Sequence, residues 1–237
     1  MHQYRMPMRW ADIDLLNHVT NVVYVAHAAE ARADLQDQGL LAADRWEGRV
    51  EVEYLRPMAL SRRSVVVDSV IDGGRVDQEI TLGAGDERTV HATLRTTLGA
   101  PDPLERRVTT DEPFRCRLRR SDVGPDGVVT QTRLFEVFQE GRVATFARAD
   151  AHATVGAFVV ARVDVRQAAP LTWRAEPVEI HTLVAATGTK SFTMAADLVL
   201  DGLVVATADV VCVGFDPQTQ RSRPLTAEGL AALRALG

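Results

Sequence analysis

The chain has 237 residues, a formal net charge of −5, and 46% apolar against 25% charged residues. That length admits one large domain or two of about 110–120 residues, and that composition excludes a disordered chain. An acidic chain without a basic run lacks the clustered cations that nucleic-acid phosphates require.

The longest apolar stretch, Leu203–Phe215, is 13 residues and contains Asp209, short of the roughly 20 that a spanning helix needs. The opening residues, Met-His-Gln-Tyr-Arg-Met-Pro-Met-Arg-Trp, have no signal-peptide core. Cys116 and Cys212 are the only cysteines, so neither a disulfide framework nor a zinc site is expected. The six histidines show no metal-ligand spacing, with His18 and His27 nine apart. These features lead us to expect a cytoplasmic protein with no membrane or nucleic-acid partner, no metal and no cofactor. Of 27 basic residues only one, Lys190, is lysine.

In chain order, a short strand and a polar loop precede a helix over about Val22–Gln38, with Asn21 as its N-cap and Gly39 just past its end. Its residues are apolar or small over most of the circumference, so the helix should be buried on most sides. Strand-like runs follow at Val50–Tyr54, Ser64–Ile71, Gln78–Leu82 and Val90–Leu98, parted by turn residues such as Asp72-Gly73-Gly74. Gly99–Pro113, with Pro101, Pro103 and Pro113, reads as a linker. A second strand, loop and helix then lead to runs at Phe158–Val165, Val178–Ala186, Ser191–Leu200 and Val204–Phe215, and a last helix at about Thr226–Leu236.

The plan occurs twice. At an offset of 110, Arg9–Leu35 and Arg119–Thr145 share six of 27 residues, among them Asp12/Asp122, Glu30/Glu140 and Arg32/Arg142. Because Asp12 recurs in both copies, it is expected to be structural, and the Glu/Arg pairs are expected to make helix–sheet or interhelix contacts. One buried helix followed by an antiparallel meander implies an α+β layer, with a sheet wrapped around the helix.

The first loop reads Asp12-Ile13-Asp14-Leu15-Leu16-Asn17-His18-Val19-Thr20-Asn21-Val22-Val23-Tyr24, and Glu30-Ala31-Arg32 on the helix closes the motif. With Tyr54-Leu55-Arg56-Pro57, this resembles the 4-hydroxybenzoyl-CoA thioesterase branch of the hotdog-fold family. The resemblance implies a tandem double hotdog, each repeat an antiparallel sheet around a long buried helix. Repeat 1 would span 1–100, the linker 101–113 and repeat 2 114–237. It also implies hydrolysis of acyl-CoA or acyl-carrier-protein thioesters.

The residues suit that chemistry. Asp14, before a helix N-terminus, can act as general base on water or attack the thioester directly. The N–H groups near Asn21, Val22 and Val23 can hold the carbonyl oxygen as it becomes anionic. Asn17 and His18 can orient water or the carbonyl. An Asp and an Asn before a helix are also what a capping loop requires.

At the same offset, Asp14 becomes Gly124, Asn17 becomes Gly127, His18 becomes Val128 and Asn21 becomes Gln131. One site per chain is expected. Copy two instead carries Thr187-Gly188-Thr189-Lys190-Ser191 between strands, where the resemblance implies contact with the CoA arm. Thr189 and Ser191 offer hydroxyls to pantetheine and Lys190 a charge to phosphate; a solvated hairpin turn is the plainer alternative. Together these asymmetries lead us to expect one composite site, using Asp14 and residues 188–191.

Two other functions fit the residues. A non-catalytic acyl-CoA binding protein would need only the pocket. A hotdog enoyl-CoA hydratase would need a spacing one residue longer than Asp14-Leu15-Leu16-Asn17-His18, with a proline. Two copies in one chain allow a monomeric pseudo-dimer, or a homo-oligomer of such chains.

Overall fold

The computed structural model describes residues 1–14, 17–42, 44–83, 85–99, 102–148 and 151–237. They form two compact units, Met1–Pro101 and Asp102–Gly237.

In the first unit, β1 (His2–Met6) leads through a single 3-10 turn at Trp10–Asp12 to α1 (Asn21–Asp37). Then come β2 (Glu47–Tyr54), β3 (Val65–Asp72), β4 (Arg75–Leu82) and β5 (Thr89–Leu98). The strands pair antiparallel throughout, in the order β1-β3-β4-β5-β2.

The helix is buried as its composition requires. Val25, Ala28 and Ala31 have no exposed surface, and neither do Val52, Val65, Val67, Val76, Ile80 and Ala92 of the strands. Each large aliphatic side chain buried there contributes about 1.5–3 kcal/mol. A polar clamp adds direction to this packing. The Arg32 guanidinium donates to both Glu47 carboxylate oxygens at 2.8 and 3.0 Å and to Gln78 Oε1 at 2.8 Å. Gln78 Nε2 in turn donates to the Ala28 carbonyl at 3.0 Å, which fixes the helix against β4. Arg32 makes the expected helix–sheet contact, whereas Glu30 is exposed.

The second unit follows the same plan. It runs β6 (Phe114–Cys116), a 3-10 turn at Arg120–Asp122, α2 (Gln131–Arg148), a short α3 (Ala151–Val155), β7 (Phe158–Gln167), β8 (Val178–Thr187), β9 (Ser191–Leu200), β10 (Leu203–Asp216), β11 (Arg221–Ser222) and α4 (Ala227–Arg234). Its strand order is β6-β8-β9-β10-β7, position for position that of the first unit, with β11 on the far end of β10. Gly141 lets α2 approach β8 closely, since a Cβ there would lie 2.7 Å from Ile180 Cγ2. In the first helix the matching residue is the fully buried Ala31.

Residues 102–113 form no helix or strand and lie along β9 and β8. The Arg107 and Val108 N–H groups donate to the buried Asp197 carboxylate at 2.6 and 2.8 Å. Among the described residues, no helix is long and apolar enough to cross a membrane.

Three buried histidines make stability depend on pH. Burial is the largest cause in His27, His91 and His181, and it pushes each below its ordinary value of 6.5. Below about pH 6.5 the unfolded chain therefore binds more protons than the folded one. Stability is complete above that pH and declines as pH falls past it. A urea midpoint measured at pH 5.5 should be lower than at pH 7.5, and His181→Gln should narrow the gap.

Candidate functional site

The loop before α1 is a closed hydrogen-bonded frame. Asp12 Oδ2 accepts the Arg9 N–H at 2.7 Å, and the Asp12 carbonyl accepts the Thr20 N–H at 2.9 Å. Ile13 and Val19 form an isolated bridge. Inside it, the Asp14 N–H donates to the His18 carbonyl at 2.8 Å, and the Asn17 N–H to the Asp14 carbonyl at 3.0 Å. Asp14 Oδ1 accepts the His18 N–H at 3.1 Å. Asn17 sits at φ +60°, a left-handed conformation that asparagine tolerates better than most residues. Asp12 is structural, as its recurrence implied.

This frame gathers Asp14, Asn17 and His18 within one turn, with Asp14 and Asn17 exposed and His18 half-buried. Leu15 and Leu16, also in the motif, lie outside the described residues. The loop is fixed to the sheet as well. The Val19 N–H donates to the Met58 carbonyl at 2.8 Å, and His18 bridges Ala59.

The helix begins one residue earlier than its sequence suggested. Thr20 is the N-cap, in extended conformation, and Asn21 is the first helical residue rather than the cap. The Thr20 N–H is committed to Asp12, which holds its backbone extended and lets the helical turn start at the next residue. The Thr20 side chain makes no capping hydrogen bond. In the second unit, by contrast, Thr130 Oγ1 accepts the Arg133 N–H at 3.4 Å. The first helix thus presents its leading amides, near Asn21 and Val22, without a side-chain cap, next to the turn that carries Asp14. Val22 as a whole residue is 5% exposed, and the Val23 N–H, expected to face the carbonyl oxygen, instead donates to the Thr20 carbonyl at 3.0 Å.

Two tyrosines missed as site residues complete the setting. Tyr54 OH donates to the Asn21 carbonyl at 2.8 Å, and its ring meets that of Tyr24 edge to face at 5.4 Å. Tyr24 is 3% exposed. Burial pushes its phenol well above the ordinary range, the Met58 backbone opposes that, and the Asp14 carboxylate adds to it. The chain holds only three tyrosines, and their spacing gives no sign that two of them meet here. His27, on the next turn of the helix, is buried, which pushes its pKa below the ordinary value, and its Nε2 has no hydrogen-bond partner among the described residues.

The second loop repeats the backbone frame and drops the chemistry. Asp122 caps Arg119, the Gly124 N–H donates to the Val128 carbonyl at 2.8 Å, and the Gly127 N–H to the Gly124 carbonyl at 3.0 Å. Gly127, at φ +78°, stands where Asn17 does. The tie made by Asp14 passes to Asp126, whose Oδ1 accepts the Val128 N–H at 3.0 Å.

Thr189, Lys190 and Ser191 lie at the β8–β9 turn of the second unit. The turn is closed by the Gly188 N–H on the Ser191 carbonyl at 2.7 Å. The Thr189 and Lys190 carbonyls accept the Leu225 and Gly214 N–H groups at 2.9 and 2.8 Å, leaving the Thr189 and Lys190 side chains exposed. Cys212 is fully buried and its thiol is pushed up to about 11, the state of a small hydrophobe rather than a nucleophile. Among the described residues, no group of three or more acidic, histidine or cysteine side chains could hold a metal ion.

No protein-family profile matches the chain, and comparison with curated protein sequences gives no match. Solved structures do resemble it. A proposed oleoyl thioesterase from Lactobacillus plantarum superposes with a TM-score of 0.70 at 13% identity, covering 90% of this chain and 96% of that one. The 12:0-ACP thioesterase from Umbellularia californica gives 0.69 at 11% identity, covering 94% of each chain. An acyl-ACP thioesterase from Bacteroides thetaiotaomicron gives 0.61 at 14% identity, covering 89% and 97%. At such identities the likeness concerns the fold alone, which this chain shares with these thioesterases.

Proposed function

We propose that the chain is a cytosolic acyl thioester hydrolase, a tandem double hotdog of the 4-hydroxybenzoyl-CoA thioesterase-like branch. Repeat 1 spans residues 1–100 and repeat 2 residues 114–237. The observation that carries this reading is the uncapped start of α1 beside the turn that carries Asp14. The likeness in fold to solved thioesterases supports it.

Asp14 takes a proton from water, and the water oxygen attacks the thioester carbonyl carbon. The carbonyl oxygen becomes anionic within reach of the Asn21 and Val22 amides, where the partial positive charge of the helix end favours it. The carbon–sulfur bond then breaks, and the proton held by Asp14 passes to the departing thiolate. Asn17 and His18 orient the water and the carbonyl. In the second unit Gly124 supplies no base, so one of the two loops works. Thr189, Lys190 and Ser191 contact the arm that carries the acyl group.

The test is free-thiol release from a panel of short, long and aromatic acyl-CoA and acyl-carrier-protein thioesters. Turnover of at least one class is expected. Binding without turnover across the panel would make the chain a binding protein. Hydration of a 2-enoyl-CoA in place of thiol release would make it a hydratase.

A further inference from the structure

We propose that an open groove on the first unit holds the phosphorylated nucleotide end of a coenzyme A thioester, with Arg5 and Arg63 as its phosphate ligands. The inference rests on the thioesterase reading and narrows it to CoA, since a carrier protein brings no nucleotide.

The groove has a volume of about 620 Å³ and is lined by Arg5, Arg63, Ser64, Asp68, Thr81 and Arg88, among others. Side chains alternate across a strand. Gln78 and Ser69 face α1, so Asp68 and Thr81 face away from it, and the groove lies on that opposite side of the sheet.

Its charges are not equally committed. Arg88 is tied to Asp68 at 3.0 Å and to Glu79 at 2.6 Å, and Asp68 is nearly buried. That triad forms a fixed wall. Arg63 pairs with Glu87 at 2.8 Å, but the two side chains are 58% and 71% exposed, and an ion pair that open is weak and readily exchanged. Arg5 donates from Nε and NH2 to the neutral Gln3 Oε1 at 3.0 and 2.6 Å. It has no carboxylate partner among the described residues. Arg5 is the cation outside any ion pair among these, and Arg63 can join it on an anion.

A continuous path links groove and loop. Arg5 pairs with Val66 and Met6 with Val65, Met8 Sδ accepts the Ser61 N–H at 3.3 Å, and Ala59 bridges His18. From Ala59 to Ser64 an extended chain spans at most about 17 Å, so the two ends lie no farther apart than an extended pantetheine arm can reach. Along the way Trp10 is 81% exposed and Leu60 37% exposed. The matching places in the second unit hold Arg120 and Trp173, with the guanidinium 3.3 Å from the ring centroid. There the protein covers its own aromatic surface. The first unit leaves the same place open to a ligand.

The experiment is calorimetric titration with 3′-phospho-ADP, the nucleotide end of CoA alone, on wild type, Arg5→Ala/Arg63→Ala and Lys190→Ala. It is accompanied by KM values for one acyl group on CoA and on N-acetylcysteamine. Wild type should bind the nucleotide, and the double variant should bind it at least tenfold more weakly. The double variant should also raise KM for the CoA ester at least tenfold relative to that for the cysteamine ester. Failure of wild type to bind, undiminished binding by the double variant, or loss through Lys190→Ala alone would overturn the groove. Because titration needs no turnover, an inactive protein would count against the thioesterase reading while leaving this result readable. Arg5→Glu, a charge reversal at an exposed site, serves as the second variant.

Discussion

Replacing Asp14 by asparagine should lower kcat for thiol release by about 10²–10⁴-fold, the range a positioned general base contributes, without changing the unfolding midpoint. Asparagine is the informative substitution because it retains an oxygen for the His18 N–H, which Asp14 Oδ1 accepts at 3.1 Å. The turn survives while the base is lost. Alanine would remove both and confuse the two effects. The asymmetry of the repeat supports this separation: Asp126 holds the corresponding N–H in the second loop without a carboxylate at 124, so the turn does not need Asp14 for its own sake. Activity retained within a few-fold in Asp14→Asn would remove Asp14 from the chemistry.

The largest loss of stability should come from Arg32→Met. Its guanidinium is 2% exposed and serves Glu47 twice and Gln78 once. Removing one partner of a buried ion pair costs about 3–5 kcal/mol because the other is left uncompensated. The Glu47 side chain is 25% exposed, so water recovers part of that, and a loss of about 3 kcal/mol is expected. Arg32→Met/Glu47→Leu should regain some of it, since no carboxylate is stranded. Denaturant midpoints of the two variants decide the matter: equal midpoints would mean that the pair contributes through packing alone.

Much of the fold is legible in the sequence because its elements are patterned. Val, Ile and Thr runs between Gly and Asp turns mark eight of the strands to within a few residues, and the small, apolar face of α1 marks its burial. The elements that escape are too short to carry a period: β11 has two residues and α3 five. Residues 102–113 read as a proline-rich connection, and Val108 alone gives no hint that it is buried. Its neighbours are anchored by Asp197, a residue far along the chain. At the site, the loop residues are legible because each makes its hydrogen bond within a few positions. Asn21 is a natural cap by residue type, and the Asp12 carbonyl that shifts this role to Thr20 leaves no mark in composition. The coupling of Tyr24 to Asp14 and Met58 is hidden for the same reason, since Met58 acts through its backbone.

The described residues of the two loops share the same backbone hydrogen bonds while carrying different side chains, so the turn is a portable cassette whose bonding does not depend on its cargo. That makes the second loop a natural recipient for a transplanted base. The glycine at 124 is the obstacle, because a Cβ there would stand 3.1 Å from Asp126 Oδ1. A graft would therefore have to carry the residue two places along as well, bringing leucine with its aspartate, as the first loop does at 14 and 16. Placing a carboxylate on the second loop thus takes two coordinated substitutions, at 124 and 126, and still leaves Gly127 and Val128 where the first loop has Asn17 and His18.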